Sequence, residues 1–217
     1  MGKTVFGVIF DMDGVLIDSA EPHFRSWQLL AAERGTTVTR EQFQITFGRQ
    51  NKDVMPVLLG ESAPDRVELL SDRKEEIYRE LVRLAPPIVP GAVELVRALS
   101  LAGALLAVGS SGPRANINLV LDAMGATGLF SAIVSGEDVT RGKPHPQVFS
   151  LACDKLRLEP RKCVVIEDAP VGVEAAKAAG TKVVAVLMQH PREAFLPADL
   201  IVDRLSDLTI GHLTTLV

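Results

Sequence analysis

Four short stretches carry side chains with reactive chemistry. Asp11 and Asp13 stand two apart in Phe10-Asp11-Met12-Asp13-Gly14, Ser110 and Ser111 lie between Gly109 and Gly112, Lys143 follows Gly142, and Glu167 and Asp168 are adjacent. Carboxylates can attack an electrophilic centre, move a proton or bind a hard cation, while a hydroxyl and an ammonium can hold an anion. Taken singly, each stretch has a plainer reading. Asp-x-Asp-Gly also makes a turn with two solvated acids, and Ser110 also suits the N-cap of a helix beginning near Pro113. Lys143 and the Glu167-Asp168 pair also read as solvated loop residues. Some sites are excluded outright. The first stretch is no EF-hand start, because its glycine comes fourth rather than sixth and no acid stands at the twelfth place. Residues 109–112 supply neither the Gly-x-Gly-x-x-Gly of a dinucleotide site nor the Gly-x-Ser-x-Gly of a serine-hydrolase elbow.

The four stretches share one property, which is their place behind predicted strands. Apolar, β-rich runs at 105–108, 132–134, 163–166, 183–187 and 200–202 alternate with helical patterns at 92–101, 115–124, 147–156 and 171–179. That alternation predicts βαβ units and a parallel sheet. The first run, 5–10, is apolar at nearly every position, as a central strand covered on both faces should be. Ligands of open α/β sheets bind beyond the carboxyl ends of the strands. Asp11 and Asp13 follow the first strand, Ser110 the next, Lys143 lies in the loop after the third, and Glu167-Asp168 follow the fourth. All would converge on one sheet edge. Acids so placed repel one another unless a cation joins them, and oxygen ligands favour Mg2+ that keeps waters and bridges a phosphate.

Residues 16–85 interrupt this pattern with helical signals alone. Pro22 opens a helix carrying Phe24, Trp27, Leu30 and Ala31 on one face, with Gly35 as its stop. Thr39 and Gln42 read as a capping box for a helix that Gly48 ends. Pro64 opens a longer helix with Val67, Leu70, Ile77, Leu81 and Leu84 on one stripe, closed by Pro86-Pro87. The predicted organisation is an α/β core from 1–15 and 86–217 with a helical insert at 16–85.

With those residues in view, the chain resembles the haloacid dehalogenase superfamily over essentially its whole length. Its four ordered motifs are matched by Phe10-Asp11-Met12-Asp13-Gly14-Val15, Gly109-Ser110-Ser111, Gly142-Lys143-Pro144-His145-Pro146 and Val165-Ile166-Glu167-Asp168. The insert resembles the cap of the subgroup containing β-phosphoglucomutase and small sugar-phosphate phosphatases. The resemblance implies a Rossmann-like three-layer parallel-sheet core with an inserted α-helical cap domain. It implies Asp11 as nucleophile and Asp13 as general acid and base. Ser110, Ser111 and Lys143 become phosphate-binding residues, and Asp11, Asp13, Glu167 and Asp168 the Mg2+ site, Asp13 through its main-chain carbonyl. The positive end of the helix opening near Pro113 would face the same anion. In the cap it points to His23 and Lys74, and to Arg49 beside Gly48. Where the mutase keeps a phosphate-binding arginine, however, this chain has Asn51, and Gly112-Pro113-Arg114 replaces further phosphate contacts. The expected activity is hydrolysis of a small phosphorylated metabolite, a sugar or polyol phosphate, through an aspartyl-phosphate. A phosphomutase and a non-catalytic phosphate-binding protein stand as alternatives, whereas the acid pairs disfavour a dehalogenase.

Composition sets the outer limits. The 217 residues are 47% hydrophobic and 23% charged, which places the chain among globular proteins rather than disordered ones. Twenty-three Lys and Arg against 27 Asp and Glu leave a formal charge of −4, with no basic surplus for nucleic acid or an anionic membrane. The longest apolar stretches fall well short of the roughly 20 residues of a membrane span. Met-Gly-Lys-Thr leads straight into the first strand with no export signal, and Phe6 stands where a myristoylation signal wants Ser or Thr. Cys153 and Cys163 form no metal-binding pattern and are expected as buried thiols. The expectation is a cytoplasmic monomer or small homo-oligomer with a small-molecule partner.

Overall fold

An apolar run without alternation must be covered on both faces, and strand β1 (Gly7–Phe10) is buried at every position. The computed structural model describes residues 5–46 and 49–217. Among them, β1 is joined by β2 (Leu105–Gly109), β3 (Ala132–Val134), β4 (Cys163–Glu167), β5 (Lys182–Val186) and β6 (Leu200–Val202). The helices are α1 (Ala20–Glu33), α2 (Arg40–Thr46), α3 (Asn51–Leu59), α4 (Pro64–Leu84), α5 (Ala92–Ala102), α6 (Arg114–Ala123), α7 (Gln147–Leu156), α8 (Pro170–Ala178) and α9 (Ile210–Thr214).

The strands form one six-stranded sheet in the order β3-β2-β1-β4-β5-β6, with every pairing parallel. This is the predicted α/β, Rossmann-like architecture. The chain winds outward from β1 in both directions, so the switch point where a crevice opens lies between β1 and β4. Register brings the strand ends level, since Phe10 pairs with both Val108 and Ile166. The residues that follow therefore emerge side by side. One core layer packs β-strand residues Ile9, Val165 and Val183 with Phe149 and Cys153 of α7 and Val173 of α8. Cys153 and Cys163 are free and buried within it.

The chain divides into two compact units, Met1–Asp18 with Ile88–Val217 and Ser19–Pro87. The second is helical and has its own core of Phe24, Trp27, Leu30, Phe43, Met55, Leu70 and Ile77. The Thr39–Gln42 capping box forms as expected, with Thr39 N donating to Gln42 Oε1 at 2.9 Å and Gln42 N to Thr39 Oγ1 at 3.3 Å. The expected stop at Gly48 lies outside the described residues. Leu84 departs from the predicted stripe: it is the last residue of α4 and is exposed. Helices α3 and α9 had no sequence expectation. Pro56 inside α3 obscures its pattern, and α9 spans only five residues. Among the described residues no helix is long and apolar enough to cross a membrane.

Candidate active site

The site is built at the carboxyl ends of β1, β2 and β4. Asp11 N donates to Ile166 O at 2.9 Å, which extends the ladder one residue and places Asp11 against the end of β4. The chain then turns tightly, with Leu16 N and Ile17 N both donating to Met12 O and Gly14 N donating to Ile17 O. Gly14 has φ +78°, and a β-carbon there would stand 1.9 Å from Asp168 Oδ2. Only glycine permits both the turn and that close approach.

Lys143 Nζ links two of the acids, at 2.9 Å from Asp11 Oδ1 and 2.5 Å from Glu167 Oε1. The other Glu167 oxygen accepts from the amides of Asp168 and Ala169, each at 2.8 Å. Oxygens of Asp11, Glu167 and Asp168 all lie within 4.8 Å of one another. Asp13 is half-buried and faces the loop after β2, where a β-carbon on Gly112 would lie 3.8 Å from Asp13 Oδ2. Ser110 is buried and its Oγ accepts from Gly112 N at 3.0 Å, which leaves the hydroxyl proton to donate. Ser111 is exposed on the same loop.

One ammonium does not balance this many carboxylates. Burial pushes the Asp11 pKa up, Lys143 opposes it, and Glu167 and Asp13 add to the rise, which ends at about 7. Burial also lifts Asp168 well above the usual carboxylate range, helped by Glu167 and Asp11. Burial works against the charge on Lys143, but Asp11 and Glu167 overcome it and hold the ammonium firmly protonated. Acids that resist ionisation because they are buried and face one another, all presenting oxygen, fit a hard divalent cation.

Neighbouring loops hold these groups in place, and sequence patterning gave no signal for them. Gln147 Oε1, at the start of α7, accepts from the amides of Thr140 and Arg141 at 3.1 and 3.0 Å and so pins the loop leading to Lys143. Arg114 is turned to Asp138 at 2.6 Å. The expected anion site at the start of α6 is partly taken, because Arg114 N donates to Glu137 Oε1 at 3.1 Å.

The helical unit holds a second polar cluster. His23 Nδ1 and Lys74 Nζ are 2.7 Å apart, and the His23 ring stacks on Tyr78 with centroids 4.1 Å apart. Lys74 is 2% exposed and pairs with Glu75 at 2.7 Å. Asn51 donates to the same Glu75 oxygen at 2.9 Å. The Glu75 pKa is raised by burial, but Lys74, His23 and Asn51 together outweigh that and bring it to about 2. Arg49 is exposed.

Residues 7–180, which contain all four strand-end motifs, match the family described as haloacid dehalogenase-like hydrolase. The chain belongs to this family. Among curated relatives, it is 32% identical over 206 residues to validoxylamine A 7'-phosphate phosphatase of Streptomyces hygroscopicus subsp. limoneus, covering 94% of this chain and 96% of that one. It is 31% identical over 211 residues to β-phosphoglucomutase of Bacillus subtilis, covering 94% and 91%. Among solved structures, CbbY from Rhodobacter sphaeroides in complex with phosphate superposes with a TM-score of 0.89 at 26% identity, over 97% of this chain and 100% of that one. As a haloacid dehalogenase-like hydrolase, the protein carries its buried acids where the sheet's switch point predicts a ligand.

Proposed function

We propose that this hydrolase is a Mg2+-dependent phosphatase that releases phosphate from a small sugar or polyol phosphate. The observation that carries the reading is Lys143 bridging Asp11 and Glu167, with Asp168 close by, at the crevice between β1 and β4. Phosphate-monoester hydrolysis is among the slowest uncatalysed reactions, so catalysis has to rest on positioning and charge neutralisation.

Asp11 attacks phosphorus, forming an aspartyl-phosphate as the P–O bond to the ester oxygen breaks. Asp13 gives its proton to the departing alkoxide. In the second step a water attacks phosphorus, Asp13 takes its proton, and the bond to Asp11 breaks to release inorganic phosphate. Lys143 and Ser110 hold the phosphoryl oxygens, as an ammonium and a hydroxyl donor, and the Ser111 amide lies on the same loop. Asp11, Glu167, Asp168 and the main-chain carbonyl of Asp13 would hold Mg2+, which neutralises charge on the transferring group. The helical unit Ser19–Pro87 is read as the cap that selects the ester.

The contact between His23 and Lys74 favours a second reading, a phosphomutase. Pairing of Lys74 with Glu75 leaves less free positive charge for a second phosphate, and this favours the phosphatase. A panel of sugar and polyol monophosphates, assayed with Mg2+ and with chelator, tests the proposal. Phosphate release that needs Mg2+ and is abolished by Asp11→Asn is expected. Release unaffected by Asp11→Asn would sink it, and conversion of β-glucose 1-phosphate to the 6-phosphate faster than phosphate release would replace it with the mutase.

A further inference from the structure

Alanine is a better helix residue than glycine. Gly172 nevertheless sits in the first turn of α8, four residues after Asp168, with no left-handed backbone to require it. The reason lies in what its missing side chain would meet. A β-carbon at 172 would stand 1.8 Å from Glu167 Oε1, 2.0 Å from its Cδ and 2.5 Å from Oε2. Glu167 is fully buried, and its carboxylate is tied to Lys143, Asp168 N and Ala169 N. It cannot swing aside without breaking one of these. The neighbouring acid has a matching arrangement, since Asp168 is seated against Gly14.

We propose that Gly172 is a positioning residue: the bare backbone of α8 is the wall that seats the Glu167 carboxylate, and through Glu167 it sets Lys143 and Asp11. The helix gives up intrinsic stability at this position in exchange for the placement of a charged group. The consequence for metal binding rests on the Mg2+ reading above; the steric claim does not.

A double-mutant cycle separates the two. Gly172→Ala, Glu167→Asp and the double variant are compared first by thermal unfolding in chelator, with no metal or substrate present. Aspartate is one methylene shorter and withdraws its carboxylate from the wall. Glu167→Asp is expected to lower Tm in the wild-type background and to raise it in the Gly172→Ala background. Should Gly172→Ala fail to fold, the double variant is expected to fold. Mg2+ titration by calorimetry, without substrate, then reads the positioning role, with affinity expected to fall roughly 10–100-fold in Gly172→Ala and to recover in part in the double variant. A Gly172→Ala protein that is as stable as wild type or more so, additive Tm changes, or a double variant that also fails to fold would overturn the proposal. Absence of Mg2+ binding by the wild type, with the Tm sign reversal intact, would instead count against the Mg2+ reading alone.

Discussion

Two buried carboxylates in this chain meet opposite fates, and the difference lies in their neighbours. Burial raises the Asp11 pKa, and because Lys143 is shared with Glu167 and further acids face it, the ammonium does not undo that rise, which ends at about 7. Glu75 meets Lys74, His23 and Asn51 and falls to about 2 despite burial. The first group is left wanting positive charge, which suits a cation site; the second is satisfied within the protein and serves stability. Because the folded value of Glu75 lies below the unfolded value of about 4.3, its stabilising effect is complete above that value and fades as pH falls towards 2. At pH 6 the effect amounts to roughly 3 kcal/mol. Glu75→Gln is therefore expected to lower Tm at pH 6, with the gap from wild type narrowing steadily on acidification to pH 3. A gap that is constant across this range would show that the Glu75 charge is not responsible.

At the scale of elements, the loop after β3 buttresses the loop after β2. Gly136 N donates to Gly112 O at 2.9 Å, and a β-carbon on Gly136 would lie 2.3 Å from the main-chain oxygen of Ser111. Gly136→Ala must displace the Ser110–Ser111 backbone. A shift of about 1 Å at a positioning group can cost roughly 10²-fold in rate. Steady-state kinetics on the best substrate of the panel should show such a loss in kcat/KM, with circular dichroism unchanged; retention of full activity would remove this loop from the site. Such supports were not legible in the sequence, because a close approach between residues 111 and 136 has no local signature. The acids were legible, because they stand at or just beyond the ends of apolar strands and parallel register brings those strand ends level. Periodicity also found the stripe of Leu70 and Ile77 in α4, and Lys74, four residues after the one and three before the other, falls on that same face; its charge, like that of Glu75, argued against burial. Charged positions read as solvent-facing unless their partners, here His23 and Asn51, are known. Helix α3 was missed since Pro56 interrupts it.

For the molecule as a whole, the separate hydrophobic cores of the two units have an energetic consequence. Leu30 and Met55 belong to the core of Ser19–Pro87, while Ile9, Val165 and Phe149 belong to that of the sheet. Each unit buries its own apolar side chains, so each can open with its own free energy. Leu30, 1% exposed, is a suitable probe, since Leu→Ala at a buried site costs roughly 2–5 kcal/mol through lost burial and the cavity left behind. In hydrogen exchange, Leu30→Ala is expected to speed exchange throughout α1 and α4 while β1 and β4 remain protected as in wild type. The acids at the ends of those strands should keep their placement, so any Mg2+ affinity measured for the wild type is expected to persist in Leu30→Ala, while turnover falls if the helical unit acts as the proposed cap. Exchange that accelerates equally in β1 and α1 would mean that the units unfold as one, and that the sheet depends on the helical insert for its stability.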